Sequence, residues 1–99
     1  MAVQKIFVVG AGTMGSGIAQ TAAISGYETI LMDISRDQLK KARESISRSV
    51  DKLLEKEKIT PEQRQAALGL EETGSLGECG MADLIIEASF EHLEHKLEL

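Results

Sequence analysis

A glycine-rich turn between an apolar run and a helix-forming run constrains this chain more than any other feature. It lies within Lys5-Ile-Phe-Val-Val-Gly-Ala-Gly-Thr-Met-Gly-Ser-Gly-Ile-Ala-Gln20, with glycines at positions 10, 12 and 15. Eighteen residues after Gly15, Asp33 closes a second apolar run. Each part of this pattern has a physical task. Gly10 permits a tight turn off a strand, Gly12 lets the backbone approach a pyrophosphate, and Gly15 lets the next helix pack closely on the sheet. A helix opening at Thr13 and Met14 aims its free amide N–H groups and positive dipole end at phosphates. Asp33 is spaced to accept hydrogen bonds from the adenosine ribose. The glycine pattern alone is weak, but strand, helix and acid at these spacings together point to an adenine-dinucleotide site.

The remaining pattern predicts a doubly wound α/β layout. Val3 to Val9 reads as a strand buried on both faces, and Thr13 to Ser25 as a helix with a small-residue face of Ile18, Ala19, Ala22 and Ala23. Gly26 stands where a left-handed helix cap is common. Glu28 to Met32 is a second strand delivering Asp33. Ser35 and Gln38 form a capping pair that opens a long helix from about Arg36 to Lys56. Its apolar positions, Leu39, Ala42, Ile46, Val50, Leu53 and Leu54, recur at helical steps. Thr60-Pro61-Glu62-Gln63 starts a shorter helix running to about Ala67. A short strand within Leu68 to Thr73, a connector from Leu76 to Gly80, a buried strand from Ala82 to Ala88 and helical content from Glu91 to Leu99 follow. Right-handed crossovers then give a parallel sheet of order 3-2-1-4, with ligand at the carboxyl ends of the first and fourth strands.

Composition narrows the partners. The 99 residues carry a net charge of −5 and only three aromatic residues, a poor match to nucleic acid. No apolar stretch is long enough to span a membrane. Cys79 is the only cysteine, so no internal disulfide forms. A strand beginning so close to Met1, with no leader pattern, predicts a cytoplasmic location.

These residues resemble the amino-terminal NAD domain of the L-3-hydroxyacyl-CoA dehydrogenases, the bacterial 3-hydroxybutyryl-CoA dehydrogenases in particular. The resemblance is carried by Gly-Ala-Gly-Thr-Met-Gly-Ser-Gly-Ile-Ala-Gln, Gly26, Asp33, the long helix after the second strand, and Ala82-Asp-Leu-Ile-Ile-Glu-Ala88, and it covers essentially the whole chain. It implies a Rossmann-type NAD-binding domain over residues 1–99, incomplete and ending ahead of the helical substrate domain. It further implies that Gly10, Gly12, Thr13, Met14, Gly15 and Asp33 contact the cofactor, joined by Glu91 and Lys96 on the nicotinamide side. Ser49 and Lys56, seven residues apart on the long helix, match positions facing the CoA nucleotide of an acyl-CoA substrate. The family's catalytic histidine and its glutamate partner have no counterpart in this chain, which on its own is expected to be inactive.

Other features read more simply. A carboxylate at Asp33 repels a 2′-phosphate and favours NAD over NADP, although Arg36 could reach such a phosphate. His92 and His95, with Glu91 and Glu94, lack a third partner of suitable spacing, so no metal is expected. Cys79 reads as a connector residue, and Met14, Met32 and Met81 as packing residues. An Ala82–Ala88 strand left at a sheet edge predicts self-association, hence a homo-oligomer. The alternative function is a stand-alone NAD-binding or regulatory module without catalysis.

Overall fold

Consecutive apolar residues along the first strand point to both faces and must be covered from both sides, and the order of elements provides both covers. A computed structural model describes residues 3–88. β1 (Lys5–Val9) and β2 (Glu28–Met32) form the centre of a parallel sheet, flanked by β3 (Glu71–Thr73) and β4 (Leu84–Glu87). The strand order is β3-β2-β1-β4, as the sequence pattern predicts. Phe7 stands in register with Ile30 on one side and Ile85 on the other.

Ile6 and Val8 of β1 and Leu31 of β2 pack with Ala19 and Ala22 of α1 (Thr13–Ile24) and Ala42 of α2 (Arg36–Glu55). On the opposite face Phe7, Ile30 and Met32 are buried together, covered in part by Cys79 and Ala82. A third cluster, Ala23, Ile46, Val50 and Ala67, joins α1 and α2 to α3 (Pro61–Leu68). The small side chains of α1 bring its axis close to the sheet, while the larger apolar stripe of α2 spans the distance to α3.

Local signals set the helix ends. Ser35 Oγ accepts from the Gln38 amide at the start of α2. Thr60 and Gln63 satisfy each other's orphan groups in a capping box ahead of Pro61. Gly26 adopts φ +97 just past α1, the left-handed geometry expected of it. α2 stops at Glu55, with Glu57 rather than a glycine taking a left-handed φ of 59.

The structure departs from the sequence pattern in four places. β1 begins at Lys5, and β3 is confined to three residues. The stretch expected to be a simple connector forms a 3₁₀ helix, Leu76–Met81, opened by Ser75 Oγ accepting from the Gly77 amide. The last strand pairs only over Leu84–Glu87 and is not buried: Leu84 is 43% and Ile85 51% exposed, because β4 is an outer strand among the described residues. The helical pattern of residues 91–99 lies outside the described residues.

β4 is tied to β1 at its amino end by Asp83, whose Oδ2 accepts from the Gln4 and Lys5 amides, each at 2.9 Å. Those two bonds, with the Lys5 charge adding less, hold the Asp83 carboxyl below its ordinary value of 3.8. A carboxylate with a depressed folded-state pKa stabilises the fold fully above its unfolded value and loses that contribution as pH falls through the folded one. Asp83→Ala is therefore expected to lower the melting temperature at pH 7, with the gap to wild type narrowing below about pH 3.8; a gap independent of pH would contradict this role.

Candidate functional site

The site is assembled where β1 ends, because there the backbone must turn sharply and re-enter as a helix. Gly10 makes the turn with φ +102, a conformation that strains any residue with a side chain, and its N–H donates to the Met32 carbonyl at 2.7 Å. Gly12 is extended and forms the N-cap of α1 without a side-chain cap, and no acidic residue sits in the first turn. Nothing lies within 4 Å of the point where a Cβ on Gly12 would stand. The amides of Thr13, Met14 and Gly15 thus open the helix with no side-chain cap and no acidic residue in its own first turn. This arrangement suits an anion.

Gly15 has a different reason for being glycine. A Cβ there would sit 1.5 Å from the Gly10 carbonyl oxygen and 3.6 Å from the Ala88 Cβ. The first turn of α1 rests directly on the end of β1, with a small residue beyond it. Gly17 lies on the exposed face of the same helix, and its missing Cβ would meet nothing within 4 Å.

Asp33 joins the turn from β2. Its Oδ2 accepts from the Ala11 amide at 2.9 Å and its Oδ1 from the Ser35 amide at 2.8 Å. One half-buried carboxylate therefore links the glycine loop to the start of α2. Two oxygens offer about four acceptor sites, so half of the capacity remains for a ligand hydroxyl. Next to it the side chain of Ile34 is 85% exposed. The sequence spacing located Asp33, whereas its bond to Ala11 depends on how the loop folds back and has no local sequence signal.

The other expected residues fall elsewhere. Ser49 lies half-buried on α2 and accepts a hydrogen bond from Gln20 Nε2 of α1 at 2.9 Å. Lys56 is the exposed C-cap of α2, two helical turns or about 10 Å further along. Glu91 and Lys96, and His92, Glu94 and His95, lie outside the described residues.

Comparison with known proteins decides the family. Residues 5–99 match the family model described as 3-hydroxyacyl-CoA dehydrogenase, NAD binding domain. The chain belongs to this family, as its NAD-binding domain. A 3-hydroxybutyryl-CoA dehydrogenase of Bradyrhizobium diazoefficiens is 35% identical over 98% of the chain and 33% of its own length. Among solved structures, a 3-hydroxybutyryl-CoA dehydrogenase of Escherichia coli K12 superposes with a TM-score of 0.86 at 37% identity, covering 97% of this chain and 21% of that one. The (S)-3-hydroxybutyryl-CoA dehydrogenase of Ralstonia eutropha gives 0.84 at 34% identity, covering 97% and 35%. The chain thus spans about a third, or less, of the length of these relatives. NAD is the cofactor of this domain family, and the uncapped helix end, the glycine loop and Asp33 fit it.

The two glycines of α1 make opposite demands. Gly15→Ala is expected to destabilise the protein by about 3 kcal/mol, the upper range for overpacking, because backbone must move. Gly17→Ala is expected to stabilise it by about 0.5–1 kcal/mol through helix propensity. Urea unfolding of both variants checks the pair, and equal effects would contradict the close approach at Gly15.

Proposed function

We propose that this chain is the cofactor-binding part of a dehydrogenase that moves hydride between the C3 hydroxyl of an acyl-CoA, 3-hydroxybutyryl-CoA in particular, and NAD. The observation that carries this reading is the junction at Asp33, where one carboxylate braces the glycine loop beside an uncapped helix N-terminus and keeps acceptor sites in reserve. Bound NAD supplies the nicotinamide that takes up or releases hydride.

The residues of the chain divide the work of holding it. Gly10 and Gly12 shape a loop that backbone amides line, and Thr13, Met14 and Gly15 donate those amides to the pyrophosphate. Asp33 accepts from the ribose hydroxyls and disfavours a 2′-phosphate. Ile34 offers an exposed apolar side chain to the adenine ring. Glu91 and Lys96 serve the nicotinamide half. Ser49 and Lys56 hold the CoA nucleotide with a hydroxyl donor and a cation, the two groups suited to phosphate. Proton transfer at the C3 hydroxyl and the acyl pocket are assigned to none of these residues, and the dehydrogenase is a cytoplasmic homo-oligomer. Alone, the 99 residues are expected to turn nothing over.

Calorimetric titration of NADH and NADPH tests the reading. Wild type is expected to bind NADH with a clear preference over NADPH. Asp33→Ala is expected to weaken NADH at least about tenfold, the effect of losing bonds to a charged acceptor, and to narrow the preference. Unchanged NADH affinity in Asp33→Ala would overturn the assignment.

A further inference from the structure

A serine or threonine in the middle of a helix can leave its hydroxyl pointing outward or turn it back onto the carbonyl of the preceding turn. Two hydroxyls of α1 do so: Ser16 Oγ donates to the Thr13 carbonyl and Thr21 Oγ1 to the Gly17 carbonyl. Among the described residues, Ser49 in α2 makes no such bond, and it differs from Ser45 and Ser47 of the same helix in that its hydroxyl is engaged by a side chain of another helix. Its Oγ accepts from Gln20 Nε2 at 2.9 Å and donates to no group among the described residues. A hydroxyl has one proton to give and two lone pairs to receive. With one lone pair engaged by the Gln20 amide, the O–H stays free to donate and is polarised by the bond it accepts. Phosphate oxygens are acceptors only, so a serine prepared in this way suits a phosphate far better than a back-bonded one. Lys56, two turns along the same helix, adds the matching positive charge.

We propose that Gln20 is a positioning residue for acyl-CoA: its amide sets the Ser49 hydroxyl as a donor to a phosphate of the CoA nucleotide. The proposal rests on the reading of Ser49 and Lys56 given above. It also gives α1 a second task. Its amino end meets one nucleotide, and its eighth residue prepares α2 for the other.

The test is titration of coenzyme A, and separately of NADH, into the protein, followed by amide NMR shifts. The variants are Gln20→Met, Gln20→Glu, Ser49→Ala, Lys56→Ala and the double variant Gln20→Met/Ser49→Ala. Gln20→Met keeps the volume and removes the donor. It is expected to weaken coenzyme A about three- to tenfold, the effect of one hydrogen bond, while leaving NADH affinity unchanged. The double variant is expected to bind coenzyme A no more weakly than Ser49→Ala alone. Gln20→Glu is expected to lose more than Gln20→Met, since its carboxylate accepts the Ser49 O–H hydrogen bond itself and repels phosphate.

Weakened coenzyme A in Ser49→Ala with wild-type affinity in Gln20→Met would overturn the role of Gln20 and leave that of Ser49 standing. Equal loss of coenzyme A and NADH in Gln20→Met would reduce Gln20 to a helix-packing residue and overturn the proposal. Full coenzyme A affinity in both Ser49→Ala and Lys56→Ala would overturn the underlying reading, and the inference with it.

Discussion

The contact between the first turn of α1 and the end of β1 is the constraint on which the rest of the structure depends. It exists because Gly15 has no side chain: a Cβ would fall 1.5 Å from the Gly10 carbonyl oxygen. With the helix seated there, its first amides stand directly above the strand end and its small residues reach the sheet. The same seating brings the loop within reach of Asp33, whose carboxylate takes the Ala11 amide. Burial of Ile6, Val8 and Leu31 beneath α1 follows from the same approach. Fold and candidate site are therefore one piece of geometry, and substitutions that loosen the first also disperse the second.

Much of this was legible in the residues because the relevant physics is local. Glycine at a turn with φ +102, a capping box at Thr60 and Gln63, and an apolar stripe from Ala42 through Ile46 to Val50 each announce themselves within a few positions. Strand order was legible because parallel crossovers have a fixed hand. Exposure of β4 was readable from the strand order, which leaves it at an edge, but not from its own residues. Leu84, Ile85 and Ile86 look like a buried run, yet neighbours on both sides are needed to bury a strand, and among the described residues only β1 pairs with it. The 3₁₀ helix at Leu76–Met81 was hidden, since six residues carry too little periodicity to mark a helix.

The contacts that escaped the sequence are those joining distant positions through a single side chain. Asp83 receives the Gln4 and Lys5 amides across 79 and 78 residues of chain. Gln20 meets Ser49 across 29. Such pairs form only after the elements carrying them have packed, so neither partner is marked by its own neighbourhood. The asymmetry has a functional side. The pyrophosphate and ribose contacts we propose rest on local geometry and are readable from the motif, whereas the preparation proposed for Ser49 on α2 depends on tertiary structure.

The central claim is that the strand end, the uncapped start of α1 and Asp33 act together as the NAD site of this chain. The most direct measurement is the map of backbone amide shifts across the assigned spectrum as NADH is added. The account predicts saturable changes concentrated at Gly10 to Gly15 and at Asp33 to Ser35, with the β1 amino end and Asp83 left unmoved. Saturable changes centred elsewhere, or none at the glycine loop, would contradict it.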